Sequence, residues 1–347
     1  MSDAPTRRAP AGRSRRGAKA NWVTLVVALA AALGVLQFYR PTGNLFRKPF
    51  AAAVRPAVPI AAPSPNAFGR SGEVKVRFAL PGERLEYPLD VQGDPSQLAY
   101  QWVRLSDAVP ADSARALAGA EVVAPPAPGF YQLALVRAGE RRVVDGLTLT
   151  VLVPFAEKSG GLLNGYAIGT YISERLGTKK ESPLEGFVEV RPEDLRIPIT
   201  KHLTLADFVA HDGQGTWPRY TAVNPRLLDK LELVMAKIGS WRGIEGRDLQ
   251  LSVDVHSGFR PPTYNRLVKR AARDSRHQYG DAADVAIDAN GDGRFTAIDT
   301  KLVAQAVEEV ERDYPDLAGG VGLYTSRRYN TPYVHIDARG TRARWRG

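Results

Sequence analysis

The chain has 347 residues, 44% hydrophobic and 24% charged, a globular composition with room for roughly two domains of about 150 residues each. It contains no cysteine, which excludes disulfides, thiolate nucleophiles and thiolate metal ligands, so any metal site must be built from His, Asp and Glu. The formal net charge is +10, but six basic residues in 1–20 (Arg7, Arg8, Arg13, Arg15, Arg16, Lys19) set against Asp3 give +5, half of the total; the rest is spread too thinly to imply a nucleic-acid partner.

Residues 1–20 read as a basic tail and 21–39 as a transmembrane signal anchor. Trp22 to Phe38 carries no charge, is about one bilayer core in length, and has aromatic residues at its ends. The basic residues precede the span, which predicts a cytoplasmic N-terminus and everything after it outside. The segment 34–43 makes a poor cleavage site, which favours an anchor over a cleaved signal peptide. Residues 40–70 are rich in Pro and Ala and read as a semi-extended linker.

Residues 71–154 read as all-β: about seven short alternating runs separated by Pro- and Gly-containing turns suggest an immunoglobulin-like sandwich. Trp102 and Tyr131 are its candidate core aromatics, although the bridging cysteines of such domains are missing. No chemistry is visible there, so it reads as a spacer or a module for a protein partner. Residues 155–200, punctuated by Gly and Pro, read as a connector.

Residues 201–347 mix helices and strands without a regular βαβ repeat and read as α+β. Asn224 and Pro225 mark a helix start, Leu228, Leu231, Met235 and Ile238 form its apolar stripe, and Gly239 marks its end. Leu249 to Val255 alternates as a strand with one buried face. A Gly- and Pro-rich loop, a second strand at Ala282–Asp288, a helix from about Asp299 to Pro315, and closing strands around Gly319–Tyr324 and Tyr333–Asp337 complete the domain.

Two stretches carry candidate metal chemistry. His277 and Asp284 lie on a loop and the strand it enters, and His335 lies between two aliphatics on a closing strand, where Tyr333, His335 and Asp337 share one face. Two histidines and one carboxylate with an open fourth position make a catalytic zinc set. Against this stands a bland alternative: a surface histidine, a turn aspartate and a satisfied core histidine. Asp288 to Asp299 fits the twelve-residue calcium loop, with Asp288, Asn290 and Asp292 at positions 1, 3 and 5, Gly293 at 6, the Arg294 carbonyl at 7 and Asp299 at 12. A solvated acidic turn is the alternative. A calcium ion there would be structural, stiffening the neighbouring zinc site.

The motifs Ser257-Gly258-Phe259-Arg260, then Ser275-x-His277-x6-Asp284, then Val334-His335-Ile336-Asp337 and a terminal Arg342-x-Arg344-Trp345 resemble, in order, those of the zinc D-alanyl-D-alanine carboxypeptidase family, enzymes that cut peptidoglycan stem peptides. The resemblance covers roughly 200–347. It implies that His277, Asp284 and His335 bind zinc and that Arg260 faces substrate, although a loop salt bridge is also open to Arg260. Many members carry an acid or histidine three residues before the last ligand, as general base; Pro332 stands there in this chain. Asp337 is the nearest alternative base, but it could equally serve as a carboxylate that only orients His335. His256 is a further candidate base or oxyanion donor. The expectation is therefore a zinc peptidase anchored in the bacterial inner (plasma) membrane through residues 21–39. Its globular part would be extracytoplasmic and would act on peptidoglycan peptides. A metal-stabilised wall-binding or scaffolding protein without catalysis is the alternative.

Overall fold

A computed structural model of the chain describes residues 61–63, 68–87, 89–91, 94–117, 121–176, 184–244, 250–325 and 331–347. The basic tail and the apolar stretch 21–39 lie outside the described residues. Among those that are described, no helix is long and apolar enough to cross a membrane.

The first large sheet is built from β1 (Val76–Ala79), β2 (Ala99–Arg104), β3 (Arg115–Ala116), β4 (Gly129–Arg137), β5 (Glu140–Val143) and β6 (Thr148–Val151). Its order is β1-β6-β4-β2-β3, with β5 hydrogen-bonded to β4. The pairings are antiparallel except β1 with β6, which is parallel. Alternation puts Tyr131, Leu133 and Leu135 of β4 into one core with Tyr100 and Trp102 of β2 and Leu149 and Val151 of β6. Trp102 is wholly buried, its Nε1 donates to Val123 O at 2.7 Å, and Tyr87 meets it edge-on at 5.5 Å.

The second large sheet holds β7 (Val253–Ser257), β8 (Ala282–Ile287), β9 (Gly320–Tyr324), β10 (Tyr333–Asp337) and β11 (Ala343–Arg346) in the order β7-β8-β10-β9-β11, with β9 and β11 parallel and the other pairs antiparallel. One face is apolar. Ala283, Val285 and Ile287 of β8, Val334 and Ile336 of β10 and Val321 of β9 pack with helices α1 (Pro225–Trp241) and α2 (Ala297–Asp313). Asn224 caps α1 by accepting from Arg226 N at 2.9 Å, and Pro225 takes the first helical position, where its missing N–H costs nothing. The helix runs through Gly239 to Trp241, two residues past the expected stop, because the packed stripe outweighs one glycine.

The expected succession of an immunoglobulin-like sandwich and a separate α+β domain is corrected by this architecture, while the expected membrane helix falls outside the described residues. The described fold is mixed and sheet-rich, and only α1 and α2 among its described helices are longer than five residues. The region 71–154 is not two matched sheets but one six-stranded sheet flanked by small two-stranded ladders, one of them joining Arg84–Glu86 to Glu121–Val123. Residues Arg55–Gly347 form one compact unit. The cause is long-range packing: Val74, Val76 and Leu152 at the first sheet share a core with Leu203, Leu205 and Val234, so the same apolar face serves both halves.

Candidate metal centre

The site lies along a single row across the second sheet. Ser257 pairs with Asp284, Asp284 with His335, His335 with Gly322, and Gly322 with Trp345. Because side chains alternate, this row points away from the helices, so one register places a carboxylate, an imidazole and an indole side by side. Gly322 is the gap in that row. A Cβ there would stand 2.4 Å from the Trp345 ring, so glycine lets the indole lie over β9 with its centroid 5.1 Å from that of His335.

His277 arrives from outside the sheet, on a 3-10 turn over Arg276–Tyr279 that ends at Gly280 with φ +67°. Glycine is needed there twice over: for the left-handed conformation, and because a Cβ would lie 2.3 Å from Ala222 O. His277 Nδ1 donates to Gly258 O at 2.6 Å, and Arg260 N donates to His277 O at 3.1 Å, so the Ser-Gly-Phe-Arg segment clamps the turn from both sides. The Nδ1 bond leaves Nε2 as the lone pair that faces the site.

Three atoms converge. His277 Nε2 lies 3.2 Å from Asp284 Oδ1 and 3.1 Å from His335 Nδ1, and His335 Nδ1 lies 2.9 Å from Asp284 Oδ1. All three residues are buried, and together they could hold a metal ion. Arg260 donates through Nε to Ser257 Oγ at 2.7 Å and through Nη2 to Asp284 Oδ2, which turns the other carboxylate oxygen toward the imidazoles. His335 is oriented from behind, its Nε2 donating to Asp337 Oδ2 at 3.2 Å.

Asp337 has no exposed surface, and both of its oxygens are occupied. Gly320 N donates to Oδ1 at 2.7 Å, Arg339 Nε lies 2.9 Å from each oxygen, and Arg339 Nη2 reaches Oδ2. That arrangement suits the orienting of His335, not the removal of a proton from water. His256, by contrast, does not join the triad. It sits at a bulge in β7, pairs with Asp254 at 3.3 Å, lies beside the Tyr333 ring, and is not part of the cavity wall.

Burial and charge set the protonation of the triad. Burial depresses the pKa of His277, which keeps it neutral and able to bind a cation. Burial alone would raise Asp284, but the imidazoles and Arg260 override it and hold the carboxyl well below its usual range. Burial likewise opposes protonation of His335, yet its hydrogen bonds to Asp284 and Asp337 prevail and raise its pKa. For Asp337 the bonds from His335, Arg339 and Gly320 outweigh burial, so it stays ionised.

The triad opens into a cavity of about 660 Å³ whose wall includes Arg260, Arg339, Tyr324, Tyr333 and Trp345. Tyr324 and Tyr333 stack at 4.5 Å, and Trp345 Nε1 donates to Tyr324 OH at 3.0 Å. Sequence reasoning missed Arg339 and this aromatic wall; the signal available was the alternation that puts Tyr333 on the face of His335. Behind the sheet, the wholly buried Lys230 donates to Glu311 Oε1 at 2.8 Å and to Asp337 O at 2.7 Å. Glu311 also accepts from Arg344 Nη2 at 2.5 Å, so the terminal Arg-x-Arg-Trp segment is pinned to α2 while its tryptophan covers the site.

In the loop 288–299, Asp288 accepts from the backbone N–H of Gly291, Asp292 and Gly293, Asn290 Oδ1 accepts from Asp292 N, and Asp292 Oδ1 accepts from Arg294 N. Asp299, expected as the closing ligand, works as a helix cap. It accepts from Thr296 N at 2.8 Å and Thr296 Oγ1 at 2.7 Å, with its other oxygen taken by Ala289 N and Asn290 N. Among the described residues, the group of three metal-binding side chains that converges is His277, Asp284 and His335.

No family model matches the chain, and no curated protein matches it.

Proposed function

We propose that the chain is a zinc metallopeptidase that cleaves peptidoglycan stem peptides. The observation that carries this reading is the convergence of two imidazole nitrogens and one carboxylate oxygen at 2.9–3.2 Å in the wall of a cavity. Zinc bonds of about 2.1 Å at tetrahedral angles set ligand atoms roughly 3.4 Å apart, so the three need only small shifts to receive the ion. Three protein ligands leave one position for solvent or substrate, as catalytic zinc sites do and structural ones do not. The ion would supply a water of near-neutral pKa and polarise the scissile carbonyl.

The chain's own residues do the rest. His277 presents Nε2 because Gly258 O holds its other nitrogen, and Asp337 fixes His335 in the matching way. Arg260, at the cavity wall, binds a carboxylate of the stem peptide or the negative charge that develops on the carbonyl oxygen. Tyr324, Tyr333 and Trp345 offer an apolar wall to the aliphatic part of the peptide. Calcium in the loop 288–299 belongs to the same reading as a structural ion, held by Asp288, Asn290, Asp292 and the Arg294 carbonyl while Asp299 caps α2 beside it. Peptidoglycan as substrate implies an extracytoplasmic site of action in a bacterium.

Two observations favour a second reading. Position 332 is proline and Asp337 is engaged on both oxygens, which suits a metal-stabilised wall-binding protein without catalysis. Incubating the zinc-loaded full chain with cross-linked and uncross-linked muropeptides and following masses separates the two. Cleavage that is lost in His277→Ala supports the peptidase. Absence of product at one zinc per chain supports the binding protein.

A further inference from the structure

Between the Ser-Gly-Phe-Arg segment and the turn that carries His277 runs a stretch of unusual charge. Residues 266–276 contain Arg266, Lys269, Arg270, Arg273 and Arg276 against a single acid, Asp274. Arg276 is spent on the buried Asp281. The other four are exposed, and among the described residues none of them forms an ion pair. These like charges stand together beside a cavity, where their summed field favours an anionic ligand.

The stretch also divides two cavities. Ala271 N donates to Val268 O at 3.2 Å, closing a tight turn with Arg270 at its crest. Arg270 has φ +64°, a left-handed conformation that a non-glycine residue adopts at a cost of about 1–3 kcal/mol and that is held where the surroundings dictate it. Val268 and Ala271 belong to the walls of both cavities. On one side is the metal-site cavity, with Lys269 and Arg270 on its rim. On the other is a second cavity of about 530 Å³, lined by Arg175, Arg266 and Arg273 together with apolar Ile172, Leu176 and Pro262. Asn265 also lines this second cavity. It is buried, its Nδ2 donates to Ala272 O at 2.9 Å, and its Oδ1 has no hydrogen-bond partner. A buried acceptor left unpaired is uncommon, but this oxygen has no accessible surface, so the case for a ligand rests on the arginines and the shared wall.

We propose that the second cavity is a subsite for the second peptide of a cross-linked pair, entered over the Val268–Ala271 turn from the metal site, and that its arginines bind that peptide's carboxylates. This deepens the peptidase reading and rests on it for the identity of the substrate. Guanidinium groups hold carboxylates bidentately, the apolar residues suit an aliphatic peptide stem, and the shared wall lets one ligand reach both sides. The substrate class is therefore a branched, polyanionic peptide dimer, and the bond cut lies within the cross-link.

The test is a binding comparison with the zinc-loaded full chain, using purified dimeric and monomeric muropeptides of the same stem sequence. Affinity is read by calorimetry, and cleavage is read separately by mass. The expected result is at least tenfold tighter binding of the dimer, a ratio that falls to within about twofold of one in the double variant Arg266→Glu, Arg273→Glu, and that shrinks as salt is raised. Equal binding of the two ligands by the unaltered chain overturns the proposal without any variant being needed. So does a dimer preference that survives charge reversal in a variant with an unchanged circular dichroism spectrum. Dimer preference without cleavage keeps the subsite and removes the peptidase. Cleavage without dimer preference does the reverse.

Discussion

In the first sheet, β1–β6, burial is almost wholly apolar: Trp102, Leu133, Leu135 and Leu149 close on one another, and the indole N–H is absorbed by a backbone carbonyl. The second sheet, β7–β11, is apolar only toward its helices. Its other side buries Asp281, Asp284, Asp337, His277 and His335. Each buried acid there has its own arginine: Arg276 for Asp281, Arg260 for Asp284 and Arg339 for Asp337. Burying a charge costs several kcal/mol unless it is paired and hydrogen-bonded. A hydrophobic filling would have stabilised this face with less machinery, so the paired charges mark where the chain gives up stability for chemistry. The first sheet shows what the same chain does when only packing is at stake.

Substitutions in the two sheets should therefore separate stability from ion binding. Trp102→Ala removes the largest buried side chain of the first sheet and should lower unfolding free energy by about 3–5 kcal/mol in denaturant titrations, while the folded fraction still binds one metal ion. Loss of metal binding at unchanged stability would break the comparison. Asp337→Asn takes the orienting carboxylate from His335 and should weaken metal affinity about 10–100-fold in a chelator competition. An unaltered affinity would mean that His335 is held by packing alone.

Acidity should act on the two states of the site with opposite sign. The pKa of His335 is raised above its ordinary 6.5, so its protonated form stabilises the metal-free fold at pH below 6.5, and that contribution fades as pH rises through the shifted value. The ion needs the deprotonated ring. Metal affinity should accordingly climb by about tenfold per pH unit across the same window and level off above it. A pH-independent affinity between 6 and 8 would remove His335 from the ligand set. The smallest expected effect is at a cap far from the site: Asn224→Ala should cost about 1 kcal/mol of stability with metal affinity unchanged.

Period and punctuation made much of the second sheet legible. The alternation at Tyr333–Asp337, the cap at Asn224 and the paired motifs around His277 and Asp284 are local signals, and local signals survive into the fold. The overall architecture was less legible, because the parallel pairing of Val76–Ala79 with Thr148–Val151 joins segments some 70 residues apart and leaves no mark on either. Asp299 shows a different limit. A carboxylate three residues into a helix serves equally as a cap or as the last ligand of a calcium loop, and the spacing is the same for both. The part played by Asp337 was undecidable for a third reason. It depends on the neighbouring Arg339 folding back on it and on the Gly320 N–H, which reaches it only once β9 and β10 are paired.

The central claim is that His277, Asp284 and His335 hold one catalytic zinc with a position left open. X-ray absorption at the zinc edge on the full chain tests it most directly. The account predicts one zinc per chain bound by two imidazoles and two oxygen or nitrogen atoms at about 2.0–2.1 Å, one of which exchanges with added small anions. A site that retains no zinc, or one closed by a fourth protein ligand that no anion displaces, would contradict it.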